Sequence, residues 1–285
     1  MTEILRGKPA ADRLTEKNVM RTKELRKRGV YPVLAMVRLG ENPGDLSYER
    51  GAMKRAAESG VAVRQFVYDD KITQDYLLAE IDKINHDDSI HGVLIFRPLP
   101  HHIDENAVCS RLAPEKDVDG ITAGSMAGVF MGTDEGFPPC TAEACMELLD
   151  YYGISPEGRR AAVIGRSLVI GRPAAMMLMH RNATVTICHS RTGTDTMRSI
   201  GRDADIIVAA AGKAKMIGAD IAGEGKVIID VGINVDEDGR LCGDVSYDEL
   251  EKTAAAITPV PGGVGSVTTA VLMKHVIEAA AKKHR

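Results

Sequence analysis

The chain of 285 residues has no tryptophan, only four phenylalanines, and no excess of basic side chains, with 36 Lys and Arg against 40 Asp and Glu. A nucleic-acid surface is built from a basic stripe and, for single strands, aromatic platforms, so no nucleic-acid partner is expected. The five cysteines (Cys109, Cys140, Cys145, Cys188, Cys242) are odd in number and contain no C-x-x-C. Reduced thiols in packing roles are therefore expected rather than disulfides or a zinc site. The eight histidines form no H-E-x-x-H, and no metal is expected. No run approaches the roughly 20 apolar residues of a membrane span. The opening segment MTEILRGKPAADRL is charged from its third residue and lacks the apolar core of a secretory signal. The expectation is a cytoplasmic protein with no membrane partner.

What is present suits an α/β protein. Hydrophobic residues make up 44% of the chain, enough for one large or two ordinary cores at this length. The most informative stretch is Ala161–Pro173, AAVIGRSLVIGRP: small and apolar residues run into a glycine, a short polar turn, a second glycine and a proline that can open a helix. Backbone amides of such a turn, with the positive end of the following helix, attract a pyrophosphate without any charged side chain. Gly165, Arg166, Ser167 and Gly171 are the candidate phosphate residues; a simple helix-entry turn is the alternative, since the spacing is G-x5-G rather than G-x-G-x-x-G. A helical stretch (Ala174–Arg181) then leads to a β-rich run, ATVTIC (Ala183–Cys188), that ends in His189-Ser190-Arg191. An NAD-binding unit usually carries a carboxylate at this point for the ribose 2′-hydroxyl. Ser190 and Arg191 instead offer a hydroxyl and a guanidinium, which can hydrogen-bond and neutralise a 2′-phosphate. NADP is the expected cofactor.

Along the chain, helix-like Lys8–Arg28 precedes a strand at Val33–Leu39, a helix at Leu46–Ser59, a strand at Val61–Tyr68, a helix at Gln74–Asn85 and a strand at Gly92–Phe96. Such alternation implies parallel βαβ units. A Pro-, Asp- and Gly-rich loop (Ala113–Pro139) separates this half from a helix at Thr141–Tyr152. The pattern then restarts with strands at Ala161, Thr184, Asp205–Ala210 and Lys226–Val231, a helix near Ser246–Ala254 and a short run Ala256–Val260. The last stretch, Val264–Lys283, is helix-compatible and can return to the first domain. Two α/β domains are expected: residues 1–140 plus 265–285, and a Rossmann-like NADP-binding domain over residues 141–264.

Four segments in order, Glu115–Gly120 (EKDVDG), Gly165–Pro173 (GRSLVIGRP), Asp230–Asn234 (DVGIN) and Thr258–Gly265 (TPVPGGVG), resemble the methylenetetrahydrofolate dehydrogenase/cyclohydrolase family. Phe137–Thr141 (FPPCT) and Gly40-Glu41-Asn42-Pro43 extend the likeness over essentially the whole chain. The resemblance implies two α/β domains facing across a cleft, NADP on the second, a tetrahydrofolate derivative between them, and a homodimer joined through the cofactor domain. It implies that Asp119 hydrogen-bonds the pterin amine and amide, two carboxylate oxygens accepting from adjacent donors; a loop aspartate closing an Asx turn is the alternative. Tyr48 would lie near the reacting carbon, or else be an amphipathic-helix residue with a wetted hydroxyl. Pro261, Gly262 and Gly263 would line the folate site, where glycines permit close backbone approach, or else form a simple helix-entry turn. Gly232 and Ile233 would flank the nicotinamide, or merely end a strand.

The chain also departs from the family. Members with both activities carry a lysine four residues after the tyrosine, the acid/base group of the cyclohydrolase step, and here that position is Ala52. Lys54 lies about 200° around the helix from position 52 and does not easily substitute. The glutamine that partners the family lysine is replaced by Phe96, so a polar pair has become an apolar one, while Arg97, next along the strand, should point to the opposite face. The expected function is NADP-dependent oxidation of 5,10-methylenetetrahydrofolate with the cyclohydrolase step weak or lost. An ordinary bifunctional enzyme and a non-catalytic folate or nucleotide sensor are the competing readings.

Overall fold

A computed structural model describes residues Met1–His284. The first half of the chain runs β1 (Glu3–Ile4), α1 (Gly7–Lys27), β2 (Val33–Leu39), α2 (Pro43–Ser59), β3 (Ala62–Tyr68), α3 (Gln74–His86), β4 (Gly92–Ile95), α4 (Glu105–Arg111) and α5 (Ala123–Met131). The second half runs α6 (Cys140–Tyr151), β5 (Arg160–Ile164), α7 (Gly171–His180), β6 (Thr184–Cys188), α8 (Thr194–Asp203), β7 (Ile206–Ala209), α9 (Ala219–Ala222), β8 (Val227–Asp230), β9 (Asn234–Val235), β10 (Leu241–Cys242), α10 (Tyr247–Leu250), β11 (Ala256–Ile257) and α11 (Gly265–Lys283). Two compact units result, Asp12–Cys140 with the stretch from Thr269 onward, and Met1–Ala11 with Thr141–Thr268.

The Asp12–Cys140 unit is built on a parallel sheet of order β3-β2-β4. Central β2 (VLAMVRL) is buried along almost its whole length, as expected of a strand covered on both faces. Ala35, Val37, Val93 and Ile95 pack there with Leu77, Ile81 and Ile84 of α3. Helix α2 has defined ends: the Asn42 side chain accepts from the Gly44 amide at 2.8 Å, Pro43 supplies a preset first-turn φ, and Gly60 closes the helix at φ +75°. The segment expected to be loop, 113–139, contains α5. Thr122 caps its start by accepting from Ser125 N at 3.1 Å, and Gly132 ends it at φ +69°. Three glycine or serine residues in AGSMAGVFM disguise it as loop, whereas those caps specify a helix.

The other unit holds a six-stranded parallel sheet of order β1-β11-β8-β7-β5-β6, with Ile207, Ile228, Ala162 and Ile257 in its core. Met1–Ala11 was expected with the first domain and belongs here instead. Its strand β1 pairs Glu3 with Ala256 and Ile4 with Ile257, giving β11 a partner on its outer edge, and Leu5 is fully buried. The expected helix over 246–254 is only the single turn α10, and α8 is an element that the alternating pattern does not announce.

Candidate active site

At the carboxyl ends of β5, β6, β7 and β8, where an open α/β sheet presents its ligand crevice, four loops meet. Strand β5 passes into Gly165, whose φ of +140° excludes a side chain, and a Cβ there would collide with the Ala210 carbonyl. A Cβ on Gly171 would strike the Gly165 carbonyl and Arg166 amide, so both glycines are needed for the tight turn. Ser167 Oγ accepts from Ile170 N at 3.2 Å within it. Ile164 is in register with Cys188 of β6. That register brings Arg166, Ser190 and Arg191 out at the same level on adjacent strands, all three exposed. A rigid glycine turn at a helix start beside two guanidinium groups fits the pyrophosphate and 2′-phosphate of NADP.

The β8 loop is held by two buried carboxylates that sequence reasoning missed. Asp244 accepts from Ala211 N (2.5 Å), Gly212 N (3.0 Å), Lys213 N (2.9 Å) and Asn234 Nδ2 (2.9 Å). Asp230 accepts from Gly232 N (2.9 Å), Asp244 N (3.1 Å) and Val245 N (3.0 Å). Burial pushes Asp230 up to about 6, against the pull of those amides and helped by the neighbouring Asp244 charge. A Cβ on Gly232 would collide with the Asp244 carboxylate. The loop is thereby fixed with Ile233 projecting outward, 71% exposed. An aspartate closing the apolar run V-I-I of β8 was the available signal. In the same unit Val260–Pro261 is a cis peptide, Gly262 has φ +101° and accepts from Gly7 N at 2.8 Å, and Gly263 is buried.

The remaining candidates lie in the Asp12–Cys140 unit. Tyr48, half-buried on α2, meets Phe96 edge-on with ring centroids 6.2 Å apart at 81°. Ala52, one turn further along α2, is 0% exposed, Phe96 is buried, and Lys54 is exposed. Because β4 ends at Ile95, strand alternation does not govern Arg97. Its guanidinium donates to Glu105 Oε1 at 3.2 Å and acts on Asp119 through its charge. Burial pushes Asp119 up to about 6, and the Arg97 charge and a Cys140 thiol hydrogen bond hold it back from rising further. Its loop is pinned by its neighbours. Asp117 accepts from Ile121 N (3.0 Å) and Thr122 N (2.7 Å), and Lys116 Nζ donates to the Ile84 and Asp87 carbonyls at 2.8 Å each. In EKDVDG the turn-closing work thus falls to Asp117. Val118 O accepts from His275 Nδ1 at 2.8 Å and Cys140 Sγ at 3.2 Å. All five described cysteines are free thiols.

Residues 5–119 match the profile of the tetrahydrofolate dehydrogenase/cyclohydrolase catalytic domain and residues 139–284 that of its NAD(P)-binding domain. The chain belongs to the tetrahydrofolate dehydrogenase/cyclohydrolase family. A relative named bifunctional protein FolD, from Carboxydothermus hydrogenoformans, is 50% identical over 281 residues, covering 98% of this chain and 97% of the relative. Among solved structures, the bifunctional FolD enzyme of Campylobacter jejuni superposes with a TM-score of 0.95 at 37% identity, covering 99% of both chains. The Trypanosoma brucei dehydrogenase-cyclohydrolase, solved with NADP cofactor and inhibitor, gives 0.93 at 33% identity, covering 100% and 99%. This member of the tetrahydrofolate dehydrogenase/cyclohydrolase family is an enzyme with two α/β units, as the sequence led one to expect. The expected NADP cofactor is supported by the NAD(P)-binding domain and by the NADP-bound relative.

Proposed function

We propose that this chain is an NADP-dependent 5,10-methylenetetrahydrofolate dehydrogenase of one-carbon metabolism whose cyclohydrolase step is weak or lost. The observation that carries the second half is Ala52: on the buried face of α2, one turn from Tyr48, the chain has a methyl group where the resemblance calls for an ammonium. Phe96 stands against Tyr48 in place of the amide that would orient such a lysine. Lys54, exposed on the same helix, is directed elsewhere.

Bound NADP would supply the acceptor for a hydride leaving the folate's methylene carbon. Arg166, Ser190 and Arg191 would hold its 2′-phosphate, the Gly165–Gly171 turn with Ser167 its pyrophosphate, and Gly232-Ile233 would flank the nicotinamide. Asp119 would take the pterin donors as a carboxylate, Tyr48 would orient the reacting carbon, and Pro261, Gly262 and Gly263 would contribute folate contacts from their own unit. Hydride transfer requires no protein acid or base, since the folate nitrogens stabilise the cation formed and the protein supplies positioning. Water attack on the methenyl carbon does involve proton transfers, for which a positioned acid/base group contributes about 10²–10⁴-fold.

The ordinary bifunctional reading is favoured by the names of the relatives just described. One assay decides, following absorbance of reduced cofactor and of methenyl-tetrahydrofolate together. Cofactor reduction with methenyl-tetrahydrofolate decaying at close to the buffer rate supports the proposal. Decay hundreds of times faster supports the bifunctional enzyme, and binding without turnover supports a sensor. A cytoplasmic homodimer completes the proposal. Strand β6 lies at an edge of the six-stranded sheet and exposes Thr184, Thr186 and Ile187, a surface able to pair with a second copy.

A further inference from the structure

Two charges are buried beside the helix position of Tyr48, one of them on the residue that follows it. Arg38 on β2 and Glu49 on α2 form an ion pair at 2.6 Å, with side chains only 8% and 7% exposed. Both carboxylate oxygens are engaged, since Arg38 Nε donates to Oε2 and Gln65 Nε2, from β3, donates to Oε1. The second arm of the guanidinium donates to the Gly40 carbonyl, in the loop that leads through the Asn42 cap into α2. One buried cation therefore ties down both the entry of α2 and its second turn, and two adjacent strands meet on one carboxylate. Glu49, Ala52, Ala56 and Ser59 are the buried residues of the helix; the alanines carry only methyl groups, which make no hydrogen bond to fix its rotation or its slide. A buried ion pair is seldom worth more to stability than apolar side chains of equal volume, whereas its hydrogen bonds admit one geometry.

We propose that the Arg38–Glu49–Gln65 cluster is the positioning unit for Tyr48: it fixes the rotation of α2, and so the Tyr48 ring, for the hydride-transfer step. Glu49 is a positioning residue, adjoining Tyr48 in the chain and acting through it. The inference rests on the assignment of Tyr48 to the folate site.

The test is steady-state kinetics of methylenetetrahydrofolate oxidation, with the deuterium isotope effect on hydride transfer. Glu49→Ala is expected to lower kcat tenfold or more and to raise the isotope effect, while KM for NADP stays within twofold. Glu49→Gln, which keeps the volume and can accept from Arg38 if the Gln65 amide turns over, should return kcat to within threefold of the parent. The paired change Arg38→Met with Glu49→Leu separates positioning from stability. It should melt at or above the parent temperature and still show the depressed kcat; if it does not fold, the Ala and Gln variants decide. Tyr48→Ala must lower kcat as well, and adding Glu49→Ala to it should cost little more. If Tyr48→Ala leaves kcat unchanged, the Tyr48 assignment has failed and this inference with it. If Tyr48→Ala lowers kcat but Glu49→Ala and the paired variant stay within twofold of the parent, the inference alone is overturned. Equal losses in Glu49→Ala and Glu49→Gln would also overturn it.

Discussion

Replacing Asp119 by asparagine separates the cost of burying this carboxyl from its use. Its pKa in the folded chain is pushed from the ordinary 3.8 up to about 6, with burial as the largest cause. A change of one unit between unfolded and folded states corresponds to about 1.4 kcal/mol, so the ionised form is disfavoured in the native state by up to about 3 kcal/mol. Asp119 retains some contact with solvent, which brings the expected cost to about 1–3 kcal/mol. The sign follows from proton binding, which is tighter in the folded state. The stability this carboxyl contributes is fully present below about pH 3.8 and is lost as the pH rises through about 6. The amide that replaces it in the variant carries no charge at any pH. Asp119→Asn should therefore be nearly neutral at pH 4 and stabilising at pH 8, raising the melting temperature by about 2–4 °C for each kcal/mol recovered. The same variant should need at least tenfold more folate, because one acceptor facing the pterin donors becomes a donor and a charge-assisted hydrogen bond is worth about 1.5–3 kcal/mol. Thermal melts at pH 4 and 8, beside folate titrations of the dehydrogenase rate, give both readouts. A variant that melts below the parent at pH 8, or whose shift is the same at both pH values, would refute the burial argument; unchanged folate dependence would make Asp119 structural.

Arg191→Ala should weaken NADP by more than tenfold and NAD far less, since a guanidinium contact to phosphate is worth about 1.5–3 kcal/mol; equal losses in the two titrations would remove the 2′-phosphate assignment. Sedimentation at micromolar concentration should give twice the chain mass, and a charge placed on the exposed edge as Ile187→Lys should shift the equilibrium toward the monomer; a monomeric parent contradicts the β6 pairing. Ala52→Lys with Phe96→Gln should raise methenyl-tetrahydrofolate hydrolysis by about 10²-fold or more. Ala52→Lys alone should do less, because its ammonium would face an aromatic ring with a cation–π gain of only about 0.5–2 kcal/mol; no gain from the pair in a protein that still oxidises the folate would show that position 52 is not the missing determinant.

How far the fold could be read from sequence depended on how local its causes were. Strands β2, β5 and β8 are apolar runs closed by turn residues, and the parallel pairing of β5 with β6 is the arrangement that a βαβ unit implies. Helix α5 escaped because its own residues look like loop, although Thr122 and Gly132 at its ends specify it. The affiliation of Met1–Ala11 rests on a two-residue strand pairing with Ala256 and Ile257, and nothing near residue 3 announces a partner more than 250 positions away. The site divided in the same way. Glycines 165 and 171 were legible because their constraint is local, whereas Asp230 and Asp244 act by accepting amides from distant loops. Arg97 falls outside the alternation argument because the strand ends one residue before Phe96, so a period of two had nothing left to act on.

Ala52, Phe96 and Glu49 form one chemical arrangement rather than three separate features. A lysine on the buried face of α2 would be neighboured by Glu49, three residues earlier on the same helix and within the reach of an i,i+3 ion pair. Glu49 is already committed to Arg38 and Gln65. An ammonium at position 52 would have to share that carboxylate with Arg38 and Gln65. With Ala52 and Phe96 the same region is apolar beside Tyr48, and the Glu49 carboxylate next to it is closed in its pair with Arg38. That environment suits a step in which a hydride moves and no proton must be delivered by the protein. The buried charge and the absent lysine are then two sides of one arrangement, in which α2 is held for positioning and carries no group equipped for proton transfer at position 52.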